Sequence, residues 1–489
     1  MAMLRARLAH IDEQVAALES QMALLRRDRK IVQDELAAIV YPILTLPDDV
    51  TSGIFLQYAD DYPTQICSPM VLASICTQWR EVALATNGLW TRFSAGHFYV
   101  RSSQKLVHFP DLLRMWLSRS GALPLDLRIP LPSSTSTIPS REAIVRLLFE
   151  YSSQWGSMQL SSPESIELPR DIEGGSFPSL THLSLYSHHA VAPIPSFLDA
   201  PRLRIVKLAG LTLVDHWRDS LPSLPWGQLT NLEMQIADLG ECLDILEHTQ
   251  MLEVLGFTLN VDLEQVPPRG IILHHVHTLV LCGQPSHGII PHLTLPALRR
   301  LGIEMVTSEY TPAIESLIER SGCPLTMVSL DDMHDVHAIA ALLRTIRTTQ
   351  EVQLKLPMLD EDGFSRLFKT IADDPSLLPA LTTLEITKCM PGTIELSPLA
   401  DMLVRRSGQR GEFESTKLES FKLLFREPSG YDDFLPEWNF GGRSDEVARD
   451  IGRVRELRAG GLGLEIRPTV PWLNGNVTAE MAKALCGPL

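Results

Sequence analysis

The sequence predicts an α/β chain in three successive parts: a coiled-coil helix, a small helical module, and an irregular αβ solenoid. Three observations predict it. Apolar residues from Leu4 to Ile39 step by alternating four and three, the spacing of a coiled-coil seam. Between Pro42 and Phe93 the stripes stay helical but are short and broken by Pro63 and Pro69. From about Asp111 onward the phrase Leu-x-x-Leu-x-Leu recurs, which pairs a short alternating strand with a stacked neighbour.

The seam comprises Leu4, Leu8, Ile11, Val15, Leu18, Met22, Leu25, Val32 and Leu36, with Arg29 at its one polar position. Pro42 ends the pattern, so residues 1–41 are assigned as one helix. Sustained heptads favour pairing between chains, and a parallel homodimer is the expectation. The competing reading is an amphipathic helix folded back on its own chain. Arg29 costs stability at an a position but can fix register or strand number.

Residues 42–95 form the second part. Leu46-Pro47 precedes Asp48 and Asp49, which suit the positive end of a helix dipole. Val50, Ile54 and Tyr58 share a stripe, with Phe55 beside them. A second stripe holds Leu72, Ile75, Trp79 and Val82, and Asn87-Gly88 reads as a helix stop before Leu89-Trp90. The ordered set LPxD, IF, ICxxWR and LW resembles an F-box. It is closest to fungal F-box-like proteins, in which a VALxTxxLW phrase is usual; here it stands from Val82 to Trp90. The resemblance implies an adaptor rather than a catalyst. Leu46, Pro47, Val50, Ile54, Phe55, Leu72, Ile75, Trp79, Arg80, Leu89 and Trp90 would meet a Skp-type adaptor of a cullin ubiquitin ligase. The loop from Ala59 to Met70 is longer than in the compact animal form.

Residues 96–425 carry the repeats. The third apolar position of the phrase falls at 185, 208, 234, 257, 281, 303, 330, 354, 386 and 423, with earlier members at Leu127 and Leu160. Most intervals lie in the ~20–29 residue range of leucine-rich repeats. An Asn or Cys three places later is mostly missing, so an irregular leucine-rich-repeat-like solenoid without an asparagine ladder is expected. A non-solenoid α/β domain is the alternative. The phrase Arg-Ser-Gly closes three predicted helices, at Arg119, Arg320 and Arg406. Residues 426–489 read as a loop and a C-terminal cap, with a helix over 447–457 and a strand over 462–466.

Composition limits function. A net charge of −16 opposes nucleic acid. No apolar run approaches ~20 residues, and the N-terminus lacks an apolar signal region. Seven scattered cysteines without CxxC pairs fit free thiols in the cytoplasm or nucleus. His188-His189, His274, His275, His277, His334 and His337 lack metal-site spacing, and no catalytic motif is present. No cofactor, metal or enzymatic activity is expected. The expected role is a substrate receptor that docks a Skp-type adaptor and holds an unknown target protein. A ligase-independent scaffold and an enzyme with a loop-built site are the other readings.

Overall fold

The computed structural model of the protein describes residues 2–37, 42–59, 68–95, 109–131, 138–162, 175–187, 197–209, 224–236, 239–259, 269–283, 288–304, 310–332, 335–357, 359–374, 376–389, 394–408, 417–425 and 444–468. The chain divides into two compact units: Met1–Phe93 with Met115–Leu123, and Ser94–Arg114 with Pro124–Leu489.

The first unit is helical. α1 spans Ala2–Ala37. Its sequence has no glycine or proline and is rich in Ala, Leu, Glu and Arg, all strong helix formers. A 3-10 turn at Pro42–Thr45 precedes α2 (Asp48–Ala59), α3 (Pro69–Ile75), α4 (Thr77–Ala85) and a 3-10 turn at Asn87–Trp90. Local chemistry places these boundaries. Asp48 and Asp49 sit in the first turn of α2. The Ser68 hydroxyl accepts from the Met70 amide, with Pro69 opening α3. The Cys76 sulfur accepts from the Trp79 amide where α4 begins.

The chain continues through β1 (Arg92–Ser94) and α5 (Phe109–Leu117). The second unit then combines strands and helices, with some strands following one another directly: β2 (Leu125–Pro130), α6 (Ile138–Glu150), β3 (Trp155–Ser162), β4 (His182–Ser187), β5 (Ile205–Ala209), β6 (Asn231–Ile236), α7 (Leu239–Glu247) and β7 (Val254–Leu259). It goes on with β8 (Ile271–Ile272), β9 (Thr278–Gly283), β10 (Leu293–Thr294), β11 (Arg300–Glu304), α8 (Tyr310–Ser321), β12 (Met327–Asp331), α9 (Val336–Thr345) and β13 (Glu351–Lys355). The last elements are α10 (Glu361–Asp373), β14 (Thr383–Cys389), α11 (Leu396–Arg406), β15 (Ser420–Phe425), α12 (Ser444–Ala459) and β16 (Gly463–Pro468).

Among the described residues the architecture is mixed α/β around an open 14-stranded sheet whose strands follow chain order. β8 and β10 are set aside in a parallel pair of their own. Strand pairing from β2 to β16 is parallel. The third apolar residues of the repeat phrase form one continuous row, from Leu185, Leu208 and Met234 to Leu354, Ile386 and Leu423. All ten are buried. One assignment changes: Ile129, not Leu127, stands opposite Leu160 in that row, while Leu127 pairs with Met158. Leu125, Leu127 and Ile129 alternate and are all buried, so spacing alone does not select the register.

On the helical side α8, α9, α10, α11 and α12 pack on one another in order. Two of them end on the Arg-Ser-Gly phrase. Gly322 and Gly408 take φ of 55° and 75°, the left-handed geometry that closes a helix. The arginines reach back to the preceding repeat. Arg320 donates to the carbonyls of Leu293 (Nη2, 2.7 Å) and Ile290 (2.9 Å). Arg406, only 4% exposed, donates to Ile371 (2.9 Å), Asp374 (3.0 Å) and Leu377 (2.6 Å). The C-terminal cap is longer than its sequence signal: α12 starts at Ser444 and β16 extends to Pro468. Residues 426–443 and 469–489 lie outside the described residues.

Candidate docking surfaces

The helical module has its own core. Phe55 lies between α2 and α4, its ring 5.0 Å from Trp79 in an edge-on arrangement. Trp90 is fully buried, stacks edge-on to Trp116 at 4.8 Å, and donates from Nε1 to the Ala83 carbonyl at 2.8 Å. The Arg119 guanidinium lies 4.7 Å above the Trp90 ring. This is the third Arg-Ser-Gly phrase, and Gly121 takes φ of 63°.

The structure therefore divides the residues singled out in the sequence. Phe55, Leu72, Leu89 and Trp90 are buried inside the chain. Leu46 and Trp79 are half-buried. Pro47 and Arg80 are exposed, as are Val50 (45%), Ile54 (47%) and Ile75 (56%). Arg80 Nε donates to the Ala73 carbonyl at 2.8 Å, which ties α4 to the end of α3. In α2 the inward stripe is Thr51, Phe55 and Ala59, one residue round from Val50 and Ile54. Thr51 is buried at little cost because its hydroxyl donates to the Pro47 carbonyl.

Four further exposed apolar residues join the outward set: Ile43, Leu56, Met70 and Val71. The sequence signal for them is weak, because Leu56, Met70 and Val71 adjoin the buried Phe55, Pro69 and Leu72 and read equally well as core. Residues 60–67, in the long loop, lie outside the described residues.

Trp79 holds a local defect. Its Nε1 is buried and has no hydrogen-bond partner among the described residues. An orphaned donor costs about 1–3 kcal/mol. Trp79→Phe removes that donor and retains a ring against Phe55. Its denaturation midpoint is expected to match or exceed the wild type, whereas Trp79→Ala is expected to lose about 2–4 kcal/mol. A large loss with phenylalanine would show that Nε1 has an acceptor in solution.

The second surface is the face of the sheet turned away from the buried rows. Its middle row runs Ser184, Lys207, Glu233, Gly256, Val280, Gly302, Ser329, Gln353, Glu385 and Lys422, aligned strand by strand. Opposite charges pair across it: Lys207 with Glu233 at 2.6 Å, and Lys355 with Asp331 at 3.2 Å in the next row. A cavity of about 160 Å³ opens beside Lys207, Glu233, Gly256, Val280 and Cys282. Burial, reinforced by a hydrogen bond with Glu304, pushes the Cys282 thiol up to about 12. It stays protonated near neutral pH and is a poor nucleophile.

Among the described residues no group of three or more His, Cys, Asp or Glu is arranged to hold a metal ion. His274 and His275 are exposed, and His337 sits in the first turn of α9, its amide capped by Asp335. His188, His189 and His334 lie outside the described residues. No helix among the described residues is long and apolar enough to cross a membrane. The seam residues Leu4, Leu8, Ile11, Val15, Leu18, Met22, Leu25 and Val32 are all exposed. Leu36 lies in α1, but its side chain is outside the described set. No protein-family model matches the chain, and no curated protein matches it significantly.

Proposed function

We propose that the chain is a substrate receptor of a Skp-cullin-F-box ubiquitin ligase, with residues 42–95 as an F-box-like docking module. In this reading the repeats form an irregular leucine-rich-repeat-like solenoid that holds a target protein. The observation that carries it is the outward set on α2 and α3. The module closes a core around Phe55 and Trp90 and still leaves Val50, Ile54, Met70, Val71 and Ile75 in solvent. Apolar side chains of this size gain on the order of 1 kcal/mol each when half of their surface is covered, so a partner surface is the economical explanation. The sheet face, mixed in sign and largely self-paired, fits a protein target better than a polyanion. The chain would act on ubiquitin transfer by proximity alone, raising the target's effective concentration at the ligase.

The test is capture of a purified Skp-type adaptor by the full-length chain. Binding by the wild type and at least a ~100-fold loss in Ile54→Glu/Ile75→Glu, with circular dichroism unchanged, is expected. Both positions face solvent, so charge there spares the core. A folded wild type that captures no adaptor sinks the ligase reading and leaves a ligase-independent scaffold. A double variant that binds normally sinks the surface assignment.

A further inference from the structure

α1 presents an apolar seam that none of the described residues covers. Every residue described from Met3 to Glu35 is exposed, the seam residues by 46% or more. At 36 residues the helix is about 54 Å long. Such a seam is satisfied by a matching one, and the charges beside it select the orientation.

We propose that α1 pairs with α1 of a second copy of this chain in an antiparallel, two-fold symmetric coiled coil. This inference does not rest on the ligase reading.

Arg29 is the first observation that favours this orientation. In a parallel pair each seam residue meets its own copy, so Arg29 would meet the partner's Arg29 between apolar layers. Two like charges then share one layer, with the acid Asp28 of each chain beside it. In the antiparallel pair Leu8 faces the partner's Val32, Val15 faces the partner's Leu25, and Leu18 faces the partner's Met22. Arg29 then lies across the partner's Ile11. Its aliphatic stem covers an apolar side chain and its charged end reaches water.

The flanking positions agree. The parallel pair offers one attraction, Arg7 with the partner's Asp12; its other flanking contacts each include Gln14, Gln21 or Gln33. The antiparallel pair sets Arg7 two residues along the axis, about 3 Å, from the partner's Glu35. The partner's Asp28 lies beyond, on the same side. On the other side Arg26 stands between the partner's Asp12 and the partner's Glu19. Two-fold symmetry makes each of these contacts twice. The one like pair is Glu19 with the partner's Glu19 at the axis, flanked by Arg26 of each copy. Individual exposed pairs are weak, so they bias orientation while the apolar layers supply affinity.

The experiment uses the full-length chain in analytical ultracentrifugation. A dimer at micromolar concentration is expected. Glu35→Lys, which would bring two cations together in the antiparallel pair, is expected to weaken the dimer by about fivefold, and adding Arg7→Glu is expected to recover most of the loss. A parallel pair predicts the reverse: Glu35→Lys silent, and the double variant weakened because Arg7 loses Asp12. As a second readout, Leu8→Cys and Val32→Cys chains are mixed and oxidised, and the linked peptides are identified by mass. An 8-to-32 link supports the proposal. Links of 8 to 8 and 32 to 32 overturn it, as does a monomer whose helix is intact.

Discussion

Arg406→Ala is expected to destabilise the repeat unit by about 3–5 kcal/mol. Its guanidinium bridges carbonyls of the end of α10 and of the loop after it, at Ile371, Asp374 and Leu377. Hydrogen bonds from a charged donor are each worth about 1.5–3 kcal/mol. Their loss leaves buried carbonyl oxygens unpaired and a void where the side chain ran. The same loop carries Leu378 at φ 52°, a left-handed geometry that costs a non-glycine residue about 1–2 kcal/mol and depends on its surroundings. Arg406→Lys is expected to recover little, because one ammonium cannot replace a planar fork. Urea denaturation gives the magnitude, and hydrogen exchange should show faster opening over residues 371–381. A midpoint within about 1 kcal/mol of the wild type would mean that water takes over these bonds without loss.

Trp90→Ala is expected to cost about 3–5 kcal/mol and, in a module this small, to unfold it. The side chain has no exposed surface, packs on Trp116, lies under Arg119, and donates to Ala83. Under the proposed docking role, adaptor capture should vanish together with exchange protection in α4. This separates Trp90 from Ile54 and Ile75, where charge should abolish capture and leave protection in place. A Trp90→Ala chain that keeps α4 protected yet fails to bind would put the indole on the docking surface, contrary to its burial.

The repeat register was legible because period-two burial leaves little freedom: Leu185, Leu208 and Met234 had to fall in one row. Leu127 was misplaced because Leu125 and Ile129 offer the same alternation. In α2 apolar residues occur on both sides of the helix, and the inward position at 51 is a threonine that satisfies its own hydroxyl locally. Hydrophobic periodicity therefore pointed to Val50 and Ile54, which face solvent, and passed over the Thr51 stripe. The Arg-Ser-Gly phrase was readable as a helix end, but the partners of Arg320 and Arg406 lie about thirty residues earlier in the chain. No local pattern announces them. The proposed docking set was legible as residue types; which members face outward depended on how three short helices pack.

The consecutive strand order has a consequence for synthesis. From β2 onward each strand of the large sheet hydrogen-bonds to strands that are its neighbours in the chain, with only the β8 and β10 segments set aside. No described strand waits for a partner made hundreds of residues later, so loop-closure entropy stays low at each addition. The sheet can grow as the chain leaves the ribosome, and its leading edge at any moment is one freshly laid strand. That edge is the point at which a stalled or truncated product would expose backbone to aggregation. Among the described residues β16 is the last strand laid on that edge, and α12 packs on α11 just before it.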